Sequence, residues 1–281
     1  MELNTFSIFF NEYGGLLPFI FMFIFGSIIG SFLNVVIYRI PLSLNIEFIK
    51  DLKNNNIKTN EEIESFYKKN KMISIFSHSK CPSCKTKIKP WFNIPIIGFF
   101  LSKCICFSCK QRISLQYPLI ETINAIAYTA IYILSEKLYL EEILLMISFS
   151  MLLGMIMIDI KEQILPDILI YPFLFIGMFL SLENGEDYKN IFLNLLVVSL
   201  SLYSFVYYYQ KLRKLDFLIG FGDIKLFIAC TAWIGLQGIL HVILMSSIIG
   251  ILLGLLMRKK EIPFGPSIII SFILLYIFNI Y

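Results

Sequence analysis

Long apolar runs, almost free of charge, alternate with short polar joints along most of this chain, and one long polar stretch interrupts them early. Residues 13–38 carry no charge for 26 positions. That is enough to cross a bilayer as a helix, whose backbone satisfies its own hydrogen bonds in lipid. A polar stretch follows to about residue 112, and further apolar runs cover 117–135, 143–158, 168–182, 190–209, 224–236, 238–257 and 264–280. Several are short for about 30 Å of hydrocarbon. The run Leu226–Met257 is too long for one helix and divides near Gly235-Leu236-Gln237-Gly238, where two glycines permit a turn. The pattern predicts an all-α polytopic membrane protein with about eight transmembrane helices and a small polar loop domain.

Composition agrees with that reading. The chain has 281 residues, 57% of them hydrophobic, and a mean hydropathy of +0.76, more apolar surface than a soluble domain can hide. The net charge of +4 says little, but its distribution says much: of 24 Lys and Arg, 14 lie between Arg39 and Arg112. With the N-terminus outside, eight spans place 22 of the 24 in inside loops, leaving only Lys137 and Lys189 outside. A seven-span version that merges the sixth and seventh runs puts Arg258, Lys259 and Lys260 outside and spoils the bias. The basic stretch therefore reads as a cytoplasmic loop beside anionic lipid and not as a nucleic-acid surface. Residues 1–12 hold Glu2 and Glu12 and no Lys or Arg, so the pattern of a cleavable signal peptide is not expected there. No low-complexity tract, flexible linker or obvious internal repeat stands out.

Five of six cysteines fall between residues 81 and 109; Cys230 is alone in an apolar run. Cys81-Pro82-Ser83-Cys84 and Cys106-Phe107-Ser108-Cys109 are separated by 21 residues. Two such knuckles supply four thiolates for a tetrahedral Zn²⁺, structural because no position stays open for water. Reduced, unligated thiols are the duller alternative. Cys104 reads as a bystander.

Two carboxylates carry the reactive chemistry. Asp159 ends the apolar run Ile143–Ile158, and Asp223 follows Gly220-Phe221-Gly222 just before another. The eight-span topology puts both on the cytoplasmic side. Ionisable groups at a membrane boundary are costly and mark function. Two carboxyls close enough to share a proton form an acid and a base from identical side chains, as in aspartyl proteases. Asp167 after Pro166 reads either as a helix-start residue or as part of that site. Glu121 reads either as a charge suited to a helix start or as a polar-site residue. His78 suits a surface and His241 a packed or outer-interface position. No Ser-His-Asp or Cys-His set can be assembled, and HExxH, GxGxxG and Walker patterns are absent.

Taken in order, these residues resemble the bacterial type IV prepilin peptidase family, over nearly the whole chain. The resemblance runs through Gly30-Ser31-Phe32-Leu33-Asn34-Val35-Val36-Ile37-Tyr38-Arg39-Ile40-Pro41, then Ser77 to Cys84, Asn93-Ile94-Pro95, the second knuckle, and Tyr117-Pro118-Leu119-Ile120-Glu121. It continues through Asp159 to Asp167, Gly220 to Leu226, and Pro263-Phe264-Gly265-Pro266. Cys104 departs from the glycine usual before the second knuckle, and 42–76 is a longer insert than the resemblance leads one to expect. The family implies cleavage of a basic leader from prepilins or pseudopilins at the cytoplasmic face. It also implies N-methylation of the new terminus with S-adenosylmethionine, in the bacterial inner membrane. It assigns Asp159 and Asp223 as catalytic and Cys81, Cys84, Cys106 and Cys109 as zinc ligands. The implied division is 1–41 as first transmembrane helix, 42–116 as a zinc-knuckle domain associated with methyl transfer, and 117–281 as the peptidase domain. Three other readings keep the same residues: a transporter using both carboxylates as ion sites, a presenilin-like protease sharing GxGD, and a non-cutting prepilin-assembly factor.

Overall fold

A computed structural model describes residues 16–55, 64, 65, 67, 79–135, 138–213, 220–257 and 263–278. His78, Lys137, Lys214, Arg258, Lys259, Lys260, most of the 42–76 insert and the first 15 positions lie outside the described residues. The described chain is helical: α1 Leu17–Asn54, α2 Ile97–Leu101, α3 Gln116–Ser135, α4 Leu140–Glu162, α5 Asp167–Glu183, α6 Tyr188–Arg213, α7 Phe221–Met257 and α8 Gly265–Phe278, with a 3-10 turn at Pro90–Asn93. Five of these (α1, α3, α4, α6 and α7) are long and apolar enough to cross a membrane. Strand-like pairing is limited, among the described residues, to two isolated bridges.

The apolar pattern located these helices to within a few residues, with one large exception. α1 does not stop after residue 38 but runs through Pro41 to Asn54. Pro41 removes one backbone donor without ending the helix. The division of the longest run holds: α7 breaks at Gly235, whose φ of 66° and ψ of −170° belong to a region that only glycine occupies cheaply. Counting the arms of α7 separately gives eight apolar segments. The first arm, 221–234, is only about 21 Å long at ~1.5 Å per residue, short of a full bilayer. Helix starts follow local chemistry. Glu142 reaches back to accept the Tyr139 N–H at 2.7 Å, half of a capping box, and Asp167 opens α5 with a charge that suits its N-terminus.

The chain forms two compact units, Met1–Gly154 and Met155–Tyr281. In the first, α1 lies against α3 through Gly26 and Gly30, a pair of small residues four apart. A Cβ on Gly26 would sit 2.8 Å from Ala125 Cα, and one on Gly30 would sit 2.8 Å from Glu121 Cα. The close approach lets Asn124 Nδ2 donate to the Gly26 carbonyl at 2.8 Å and Asn34 Nδ2 to the Tyr117 carbonyl at 3.1 Å. Ser150 donates to Asn124 Oδ1 at 2.9 Å, which leaves the Tyr128 hydroxyl to donate to Ser150 at 3.0 Å. In lipid, where water cannot satisfy stray polar groups, such a chain specifies helix register. Gly30→Val is expected to force the helices apart and cost about 2 kcal/mol of stability, read as a lower unfolding midpoint in detergent.

The second unit packs α5, α7 and α8 around an aromatic cluster. Trp233 stacks on Phe173 with ring centroids 5.0 Å apart, and its indole N–H donates to the Phe173 carbonyl at 3.0 Å. Phe272 and Tyr276 of α8 meet the same indole edge-on. Gly177 of α5 lies directly beneath the Trp233 ring, where no side chain fits.

Candidate active site and the four-cysteine loop

Asp159 sits in the last turn of α4, 5% exposed. Its Oδ2 accepts the buried Gly265 N–H at 2.9 Å. Gly265 is the first residue of α8, so a free backbone donor at a helix start faces the carboxyl, the usual place for an anionic group. A Cβ on Gly265 would stand 2.7 Å from that same oxygen. Asp223 sits half-buried in the first turn of α7, where its N–H donates to the Gly220 carbonyl at 3.0 Å. The two carboxyls lie within electrostatic reach of each other. The fold thus gathers Asp159 and Asp223, 64 residues apart in the chain, in one unit.

Several supports were not legible beforehand. Leu165 is wedged between both glycine motifs: a Cβ on Gly222 would lie 2.9 Å from Leu165 Cβ, and one on Gly265 would lie 3.2 Å from Leu165 Cδ2. One apolar side chain therefore packs against both glycine motifs. Asp167 pairs with Lys225 through both oxygens, at 2.8 and 2.7 Å, tying the start of α5 to the first turn of α7. The pair is partly exposed and contributes little stability alone; its value is geometric. Asp167 is thus the helix-start residue that Pro166-Asp167 predicts, and its partner lies two residues beyond Asp223. Gly265→Ala is expected to push Asp159 off its backbone donor and to slow any reaction that depends on this carboxyl by about 10²-fold, in line with a 1 Å misplacement, read as a lower kcat with an unchanged KM.

Glu121 is not at a helix end. It is buried in α3 and accepts the Ile96 N–H at 2.6 Å. Ile96 is the centre of a strained γ-turn, φ 60° and ψ −58°, closed by the Ile97 N–H on the Pro95 carbonyl. A β-branched residue tolerates such a backbone only when its surroundings hold it. Glu121 is that holder, and it fixes the Asn93–Ile96 loop against α3. His241 is exposed on α7, with Nδ1 3.0 Å from the Gln237 carbonyl.

Cys81, Cys84, Cys106 and Cys109 gather with all four sulfurs within 4.8 Å of one another. Cys81 and Cys109 lie 3.9 Å apart, as do Cys84 and Cys106. A tetrahedral Zn²⁺ with arms of about 2.3 Å sets its sulfurs about 3.8 Å apart, so the set fits that ion. The two knuckles are copies of each other. Cys81 N–H donates to the Thr86 carbonyl and Lys85 N–H to the Cys81 carbonyl; Cys106 N–H donates to Gln111 and Lys110 N–H to Cys106. Lys85 and Lys110 both adopt φ 59°. The sequence carried this short repeat, Cys-x-Ser-Cys-Lys-x-basic-Ile, at 81–88 and 106–113. The Thr86 hydroxyl and N–H beside Cys84 favour its thiolate and bring that thiol down to about 6. Backbone N–H groups of Cys109 and Ser108 lower Cys106 as well. Cys104 stays out of the cluster and adopts φ 61°. That is left-handed backbone where glycine is the easier residue, so the departure seen in the sequence has a conformational cost.

Two family models match the chain. One is described as the bacterial peptidase A24 N-terminal domain, over residues 24–135, and the other as the type IV leader peptidase family, over 146–255. Curated relatives align over most of both partners. A protein named prepilin leader peptidase/N-methyltransferase from Neisseria gonorrhoeae is 31% identical over 262 residues, covering 88% of this chain and 86% of its own. Proteins of the same name from Stutzerimonas stutzeri and Pseudomonas aeruginosa are 32% and 31% identical, each over 88% of this chain and over 86% and 85% of their own. No solved structure matches.

Proposed function

The chain belongs to the type IV leader peptidase family, and from that membership we propose that Asp159 and Asp223 are the residues that cut. The enzyme removes the leader of prepilin-type proteins and N-methylates the terminus it exposes. The observation that supports the assignment is the pairing itself: two carboxyls in one unit, their glycine segments packed on the same Leu165 side chain, one of them clamped by the start of α8.

Each residue then has a task. One carboxylate takes a proton from water as its oxygen attacks the scissile carbonyl carbon. The other, protonated, donates to the carbonyl oxygen. Collapse of the tetrahedral intermediate breaks the C–N bond, and the amine leaves with a proton from the first carboxyl. Gly265 holds Asp159 Oδ2, so Asp159 cannot swing away between steps. Leu165 packs against Gly222 and Gly265, the glycines beside the pair, and so fixes their spacing. A substrate with an apolar helix behind a basic leader would rest its helix in the bilayer and its leader in the cytoplasm. That brings the bond to the depth of both aspartates. The basic-residue bias supports this orientation, with the cysteine loop inside the cell and the protein in the inner membrane.

The reading divides labour along the chain: 1–41 as a first membrane helix, 42–116 as a cytoplasmic knuckle domain associated with methyl transfer, 117–281 as the peptidase. Zn²⁺ on Cys81, Cys84, Cys106 and Cys109 would brace a segment with little core of its own. S-adenosylmethionine is the expected methyl donor. Mass spectrometry of a co-expressed prepilin tests both activities at once. The expected product lacks its leader and carries the mass of one added methyl group. An intact prepilin removes the peptidase reading, and a trimmed, unmethylated one removes the second activity.

A further inference from the structure

Between Ser79 and Leu115 the chain carries six lysines and one arginine and not a single Asp or Glu. Four thiolates on a divalent ion leave the metal site with a net charge of about −2, so the segment stays cationic with the ion bound. The same segment is unusually apolar outside. Trp91 is 70% exposed, Phe100 68%, Phe107 64% and Leu101 57%. A soluble loop seldom displays so many large apolar groups together.

Two of these groups, Leu101 and Phe107, line one groove. Phe92, Leu101, Ile105 and Phe107 wall a groove of about 190 Å³ with Lys103 and Lys110 at its rim. Lys89 Nζ stands 4.6 Å over the Phe107 ring, and Phe92 and Phe107 stack at 6.3 Å. Trp91 flanks Phe92 in the chain and Phe100 flanks Leu101. Aromatic rings among lysines are the composition of a surface that rests at a bilayer interface, the rings at headgroup depth and the ammonium groups on phosphates. The segment also has a short reach, since exposed Leu115 precedes α3, a membrane-crossing helix, with no linker between.

We propose that the Trp91–Phe107 face of the four-cysteine loop docks on the anionic headgroups of the bilayer that the helices cross. Docking gives the loop a second anchor besides α1 and α3 and keeps the knuckles at the membrane surface. The idea is independent of the roles given to Asp159 and Asp223.

The test uses the full chain in vesicles of phosphatidylcholine, with or without phosphatidylglycerol, whose acyl chains are brominated near the headgroup. The protein has two tryptophans, so the difference between the parent and Trp91→Phe isolates the Trp91 signal. At least a twofold loss of that signal, about that of an ordinary two-state shift, is expected in anionic vesicles only, and salt should relieve it. Lys89→Glu with Lys103→Glu should move the docked-to-free ratio about fivefold per lysine lost. Unchanged zinc content shows that the variant loop is intact. Equal quenching in both lipids, or free access of an aqueous quencher in both, overturns the proposal. So does quenching that appears only when a prepilin is added, which assigns the face to substrate. Leader cleavage in the same vesicles reports separately on the aspartates.

Discussion

Asp159→Asn and Asp223→Asn are each expected to lower leader cleavage by at least about 10³-fold, roughly 4 kcal/mol of transition-state stabilisation. Asparagine keeps the shape of the side chain but can neither take a proton from water nor give one to the carbonyl. At Asp159 the Gly265 N–H still has an oxygen to meet, so the 2.9 Å contact can survive and folding should be spared. Neither single change should be milder than the double one by much, because the two groups act as one unit. Membrane insertion, expression and thermal stability serve as controls. A single variant with full cleavage would falsify the dyad. Normal cleavage with loss of a proton flux in liposomes would move both carboxylates into an ion pathway instead.

Loss of the metal is expected to have the second-largest effect, on a different part of the molecule. Cys84→Ser or Cys106→Ser leaves three thiolates, and affinity should fall by more than the 10–100-fold that outer-shell changes cost. Elemental analysis should find about one zinc per parent chain and much less in the variants. Structural zinc contributes on the order of 10 kcal/mol to the folding of small knuckle domains. Protease cleavage between residues 79 and 115 should therefore rise sharply. Leader cleavage should persist within a few-fold, because Gly222, Leu165 and Gly265, which hold the aspartates, all belong to the second unit. Parent protein purified without chelator and free of zinc would remove the metal assignment.

Some features were open to reading from residue order because their physics is local. Bilayer-length apolar runs announce helices, since no other open-ended backbone survives in lipid. The break at Gly235 followed from a run too long for one helix with glycine near its middle. The gathering of Cys81, Cys84, Cys106 and Cys109 followed from knuckle spacing, which one short turn of backbone decides. Where a helix ends in water was harder. α1 passes Pro41 and reaches Asn54 through lysine, glutamate and asparagine, because loss of one backbone donor is tolerable and polar residues do not stop a helix by themselves.

Residue order by itself determined the kind of molecule, the helical segments and the two cysteine knuckles, and it singled out Asp159 and Asp223 as boundary carboxyls, all properties carried within a few turns of chain. Only the tertiary structure decided what holds those groups: the Gly265 N–H on Asp159, Leu165 lodged between Gly222 and Gly265, Lys225 on Asp167, and Glu121 on the γ-turn at Ile96. Each of these joins positions far apart in the chain. Such pairings depend on which helix faces meet at close range, and apolar periodicity is silent about that when nearly every face of a membrane helix is apolar.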